Sequence, residues 1–211
     1  MLEIYYTNIR EASWEWDMSP LSDYKKERLS QIKNIRKWKQ SAATERLLIA
    51  ALQDHDPQLE LPLRFALGVN GKPLLKTKNL HCSFSHSGEW AACAVSDREI
   101  GLDIQTDTAG KTEIARRFFT EEEKQWLYNS PRPDWDFTRL WSVKESYVKA
   151  TGAGLSCPLN TFSVKIGDRI HIAEKPQTGF WCAHTEGCHF SLCALEEPKP
   201  VPNLFVKKKL L

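Results

Sequence analysis

Apolar residues alternate along Ile100, Leu102 and Ile104, leaving Gly101, Asp103 and Gln105 on the opposite face; a period of two predicts a strand over 99–105. Residues 2–9 predict another strand, and 21–53 read as helical, with a basic stretch through 25–39 and Leu47, Leu48, Ala51 and Leu52 facing inward. Pro57, Pro62, Gly68, Gly71 and Pro73 then break the chain into turns, Asn70-Gly71 being a hairpin signal. Strands are expected over 81–84 and 90–95, around a Ser85-His86-Ser87-Gly88 turn. A helix over 113–128 is interrupted at Phe119-Thr120, where Thr120 followed by Glu123 has the form of a capping box. A second helix over 136–150 carries Phe137, Trp141 and Val148 on its buried side. Lys144 falls on the same stripe, which predicts a cation held inside against an acid. Gly152 and Gly154 end that helix, and extended segments are expected at 161–166, 169–173, 179–184 and 189–195.

Trp90-Ala91-Ala92-Cys93-Ala94-Val95 is echoed one hundred positions later by Phe190-Ser191-Leu192-Cys193-Ala194-Leu195. Each copy follows a glycine turn, and each half places a long helix before its strands. The expectation is an α+β protein of two similar lobes, 1–98 and 99–211, related by a pseudo-twofold with a cleft between them. The basic end, Lys207-Lys208-Lys209-Leu210-Leu211, is expected to fray.

A length of 211 residues, 41% hydrophobic and 27% charged, fits one ordinary domain or two small ones and excludes a disordered chain. Twenty-nine Lys and Arg against 27 Asp and Glu leave a net charge of +2, too even for a nucleic-acid coat. The start MLEIYYTNIR lacks the pattern of a signal peptide, and no run approaches the ~20 apolar residues needed to cross a bilayer. The six cysteines are therefore expected as reduced thiols in a cytoplasmic protein. Cys182, His184, Cys188, His189 and Cys193 are the one metal-like group, but their intervals match no common zinc pattern; small apolar residues in a closing hairpin is the plainer reading.

More chemistry lies in Ile100–Gln105 and in Trp141–Lys149, where Glu145 and Lys149 stand four apart on one side of a helix. An acid beside a glycine on a strand, with an acid and a lysine on a helix, can hold a metal-bound polyphosphate. Magnesium is usually held by one or two carboxylates plus substrate phosphates.

GLDIQ at 101–105, FFTEEE at 118–123 and LWSVKESYVKATGAGLSCPL at 140–159 resemble the signature of 4′-phosphopantetheinyl transferases, in particular the type that activates surfactin synthetase. HCSFSHSGEW at 81–90 and GKP at 71–73 extend the resemblance over essentially the whole chain. It implies transfer of phosphopantetheine from coenzyme A to a serine of an apo acyl or peptidyl carrier protein, with magnesium. It also implies a monomeric pseudo-dimer with coenzyme A in the cleft. By the same resemblance, Asp103 and Glu145 bind the metal, and Lys149 lies on the phosphates near the attacking hydroxyl. Gln105 stands where the family more often has a metal-binding Glu. Glu123 matches the general base; Lys33, Lys37 and Arg46 match contacts to the 3′-phosphate; and Lys72, Ser85 and His86 match contacts to the nucleotide and its phosphates. Arg116, Arg117, Phe118 and Phe119 are candidates for docking the carrier. A coenzyme A-binding protein with weak or no turnover is the alternative, suggested by Gln105.

Overall fold

In the computed structural model of the chain, the described residues are 2–12, 17–76, 79–167, 169–175, 177–196 and 205–211. They fall into two compact units, Met1–Arg98 with Val201–Leu211, and Glu99–Pro200.

The first unit begins with β1 (Leu2–Asn8), followed by α1 (Asp23–Ser30) and α2 (Ile35–His55). A small hairpin of β2 (Phe65–Leu67) and β3 (Pro73–Leu75) precedes β4 (His81–Ser87) and β5 (Trp90–Ser96). The β5 strand runs between β1 and β4, antiparallel to both. Leu47, Leu48, Ala51 and Leu52 of α2 pack with Tyr5, Ala91, Cys93 and Val95, so the apolar stripe read from the sequence covers the sheet. The Ser85-His86-Ser87 segment, expected as a turn, continues β4 instead. Ser87 still pairs with Trp90, and the reversal is left to Gly88-Glu89, with Gly88 at φ 58°. The basic stretch is not all solvated either: Lys25 is buried, and its Nζ donates to Ser41 O and Thr44 Oγ1.

The second unit repeats this plan within itself. It starts with β6 (Ile100–Thr106) and continues through α3 (Thr112–Phe118), α4 (Glu121–Tyr128) and α5 (Pro133–Thr151). The short pair β7 (Val164–Lys165) and β8 (His171–Ile172) precedes the hairpin β9 (Gly179–Thr185) and β10 (Cys188–Ala194). The sheet order is β6-β10-β9, with the wholly buried β10 in the middle, as β5 is between β1 and β4. The echoed segments are thus interior strands, β5 flanked by β1 and β4 in one sheet and β10 flanked by β6 and β9 in the other. Pro133 starts α5 three residues before the expected point, its missing N–H costing nothing in the first turn, and Gly152 ends it at φ 68°. Phe137, Leu140, Val143 and Tyr147 fill the core with Phe119 and Cys193.

The end of the chain departs from expectation. β11 (Phe205–Lys208) pairs parallel with β1, which places the tail in the first unit rather than in a lobe running from 99 to 211. The lysines that suggested fraying have partners: Lys207 donates to Glu3 and to the Tyr5 hydroxyl, and Lys209 pairs with Asp54. Among the described residues, no helix is long and apolar enough to cross a membrane.

Candidate active site

The glycine beside the strand acid has a steric reason. A Cβ built on Gly101 would meet Ser146 O at 2.0 Å and Ala150 N at 2.2 Å, so the backbone of α5 rests directly on β6. That close approach sets Asp103, on the same face of β6, under Glu145 and Lys149 of α5. Lys149 Nζ donates to Asp103 Oδ1 at 2.7 Å, and the Ser142 hydroxyl donates to the Asp103 carbonyl at 3.3 Å. Asp103 is 2% exposed, whereas Glu145 is half-buried.

Burial raises the pKa of Glu145, the nearby Asp103 carboxylate raises it further, and Lys149 opposes both. Two carboxylates that repel in a partly desolvated place, with a lysine beside them, fit a hard divalent cation. Oxygen donors and the unrelieved charge are what magnesium seeks. The Gln105 Nε2 donates to Asp103 Oδ2 at 2.9 Å. Gln105 is thus in direct contact with the acid expected to hold the metal.

Glu123 lies apart, in a sealed position. The capping box is formed, with Thr120 N donating to Glu123 Oε2 at 2.9 Å. Glu123 Oε1 accepts from Lys144 Nζ at 2.5 Å and from Val164 N at 2.8 Å. Lys144 is fully buried, also donates to Phe162 O, and its pKa is lowered by desolvation against the pull of Glu123. The prediction of an internal cation against an acid is met, and the acid is Glu123. Glu123 is 2% exposed and accepts from three donors, so in this arrangement it is engaged as a structural acceptor.

Apart from Lys149, the expected contacts to the nucleotide and its phosphates lie in the first unit. Lys33 precedes α2 and is exposed; Lys37 is exposed in its first turn; Arg46 is half-buried in its middle. Lys37 and Arg46 are nine residues apart, about 13.5 Å along the axis and on opposite sides of the helix. Lys72 is half-buried between Gly71 and β3. Ser85 is buried and His86 exposed, consecutive residues facing opposite sides of β4.

Two features escaped the sequence reading. A cavity of about 200 Å³ in the second unit is lined by Gln105, Lys111, Ile114, Phe137, Thr138 and Trp141. The helical spacing of Phe137 and Trp141 was the available signal, read there only as core. The other is Asp107, which meets His184 and His189 across the end of the sheet. Burial lowers the His189 pKa to about 4, so that its imidazole is uncharged at neutral pH.

Asp103 on β6 and Glu145 and Lys149 on α5 thus lie together where the helix rests on Gly101. Comparison with known proteins agrees in kind. The profile of the 4′-phosphopantetheinyl transferase superfamily matches residues 99–201. The 4′-phosphopantetheinyl transferase psf-1 of Bacillus pumilus is 32% identical over 170 residues, 72% of this chain and 73% of that protein. A 4′-phosphopantetheinyl transferase of Bacillus subtilis is 41% identical over 118 residues, 53% of this chain and 52% of its own length. The gsp transferase of Aneurinibacillus migulanus is 39% identical over 145 residues, 65% of this chain and 60% of its own. The chain thus spans about half the length of the B. subtilis relative. It belongs to the 4′-phosphopantetheinyl transferase superfamily.

Proposed function

We propose that this protein transfers the 4′-phosphopantetheine group from coenzyme A to a serine of an apo acyl or peptidyl carrier protein, releasing adenosine 3′,5′-bisphosphate. The observation that carries the reading is the convergence of Asp103, Glu145 and Lys149 where α5 lies on Gly101. Magnesium held by Asp103 and Glu145 would supply charge neutralisation for a pyrophosphate. Lys149 would leave Asp103 for the phosphate oxygens, where a fixed positive charge favours the more negative transition state. The serine oxygen would bond to the β-phosphorus that carries the pantetheine arm as its proton passes to solvent, and the bond from that phosphorus to the leaving bisphosphate would break. Most of the acceleration would come from positioning and electrostatics.

In this reading Lys33, Lys37, Arg46, Lys72, Ser85 and His86 serve the nucleotide and its phosphates. Arg116, Arg117 and the exposed Ile114 beside the cavity suit a carrier that presents acidic and apolar residues together. Phe119 is taken by the core and leaves that set. Glu123 positions α5 through Lys144. A monomer acting in the cytoplasm belongs to the same proposal.

The test is an apo carrier panel incubated with the protein, coenzyme A and magnesium, followed by mass spectrometry. A gain of about 340 Da on one serine, a mass estimated from the composition of the transferred group, is the expected result. The second reading, a coenzyme A-binding protein without turnover, is favoured by Gln105 donating to Asp103 and by the buried Glu123. Coenzyme A binding with no gain on any carrier would select it.

A further inference from the structure

We propose that Asp107, His184 and His189 form a binding site for a divalent transition metal ion of the zinc type, separate from the acid pair on β6 and α5. Asp107 follows β6, His184 belongs to β9 and His189 to β10, so neighbouring segments of a single sheet supply the three groups. His184 and His189 are directly opposed in the β9–β10 register, and their rings are 4.6 Å apart. Asp107 is tied down by its N–H, which donates to Gly187 O at 2.9 Å.

Its carboxylate reaches both imidazoles: Oδ2 lies 2.8 Å from His184 Nε2, and Oδ1 lies 3.1 Å from His189 Nε2. The three donor atoms fall within 4.8 Å of one another. Tetrahedral zinc, with bonds of about 2.0–2.1 Å, needs its ligand atoms about 3.3–3.4 Å apart, a spacing this group can take with shifts of a few tenths of an ångström to about 1.5 Å.

An ordinary surface ion pair would account for His184 and Asp107. It does not account for His189. That ring is 3% exposed, and its Nε2, despite the short separation from Asp107, lies off the direction a hydrogen bond requires and has no such partner. A buried polar atom left without a bond costs free energy unless something else binds it. Trp135 stacks edge-on against His189 at 4.6 Å, and the Arg132 guanidinium covers Trp135 at 4.2 Å, so one side of the site is walled and the other opens toward solvent. Asp107 and His184 are both exposed on that side. Two imidazoles with one carboxylate are the donor set for zinc, cobalt or nickel, with water completing the coordination; magnesium takes oxygen ligands. Asp107, just past the end of β6, stands four residues from Asp103, about 13 Å along extended chain, so the two sites do not share an ion.

The full chain is titrated with Zn2+, and with Co2+ as a spectroscopic probe, in the presence of excess Mg2+. One equivalent is expected to bind without displacement by magnesium, giving a Co2+ ligand-field band with no thiolate charge-transfer band. The unfolding temperature is expected to rise with Zn2+. His184→Ala and Asp107→Asn, both at exposed positions, are expected to unfold near the parent temperature without metal, to weaken binding at least about tenfold, and to lose the zinc-dependent rise. No zinc binding, equal binding by both variants, displacement by Mg2+, or a thiolate band marking the cysteines as ligands would each overturn the proposal.

Discussion

Helix α5 carries two lysine–carboxylate pairs that look alike on paper and differ in kind. Lys149 meets Asp103 at 2.7 Å, with the lysine 30% exposed; Lys144 meets Glu123 at 2.5 Å, with 0% and 2% exposed. Five residues apart on a helix, the two lysines face different directions. The first pair keeps an open side and a second acid, Glu145, whose charge is resisted by burial and by Asp103. The second has every near donor and acceptor matched inside the core, where a backbone N–H and a carbonyl complete the set. Chemistry needs charges that something else can still reach. A pair satisfied on all sides holds the fold.

The comparison can be broken or sharpened by substitution. The largest effect expected is from Glu123→Ala, which leaves Lys144 buried without its partner and should cost about 3–5 kcal/mol, read from the urea midpoint. A midpoint near the parent's would show that the pair is not structural. Asp103→Ala should lower transfer by about 10²–10³-fold while the unfolding midpoint stays near the parent's, since Lys149 remains partly hydrated. Equal transfer rates would remove Asp103 from the site. Gly101→Ala forces a methyl into the α5 backbone and should cost roughly 1–3 kcal/mol of stability, with transfer falling as Asp103 and Glu145 separate. Glu123→Gln keeps acceptor oxygen at the same place; as a positioning change it should move turnover little, whereas loss of a general base would lower it about 10²–10⁴-fold. The smallest effect expected is from Gln105→Glu, which should shift the magnesium titration to lower concentration, and an unshifted curve would place position 105 outside the metal's surroundings.

Much of the second unit could be read from its residues. The alternation in 100–105, the capping box at Thr120 and the apolar stripe of 137–148 are local signals, and each became the expected element. Lys144 on that stripe announced a buried cation, yet nothing in the spacing named Glu123, twenty-one positions earlier, as its partner. The FFTEEE motif pointed to a reactive acid, and nothing in it announced that Glu123 would be buried against Lys144. The lysine-rich end read as a frayed tail because its partners, Glu3 and Asp54, lie 204 and 155 residues away.

The sequence by itself determined which faces are apolar, where helices start and stop, and which residue types could do chemistry, because periodicity and capping depend on near neighbours. Tertiary structure alone decided which acid stays open, which is sealed, and that Asp107 meets two histidines. Accessibility and long-range pairing arise when distant segments pack, and no local pattern encodes them.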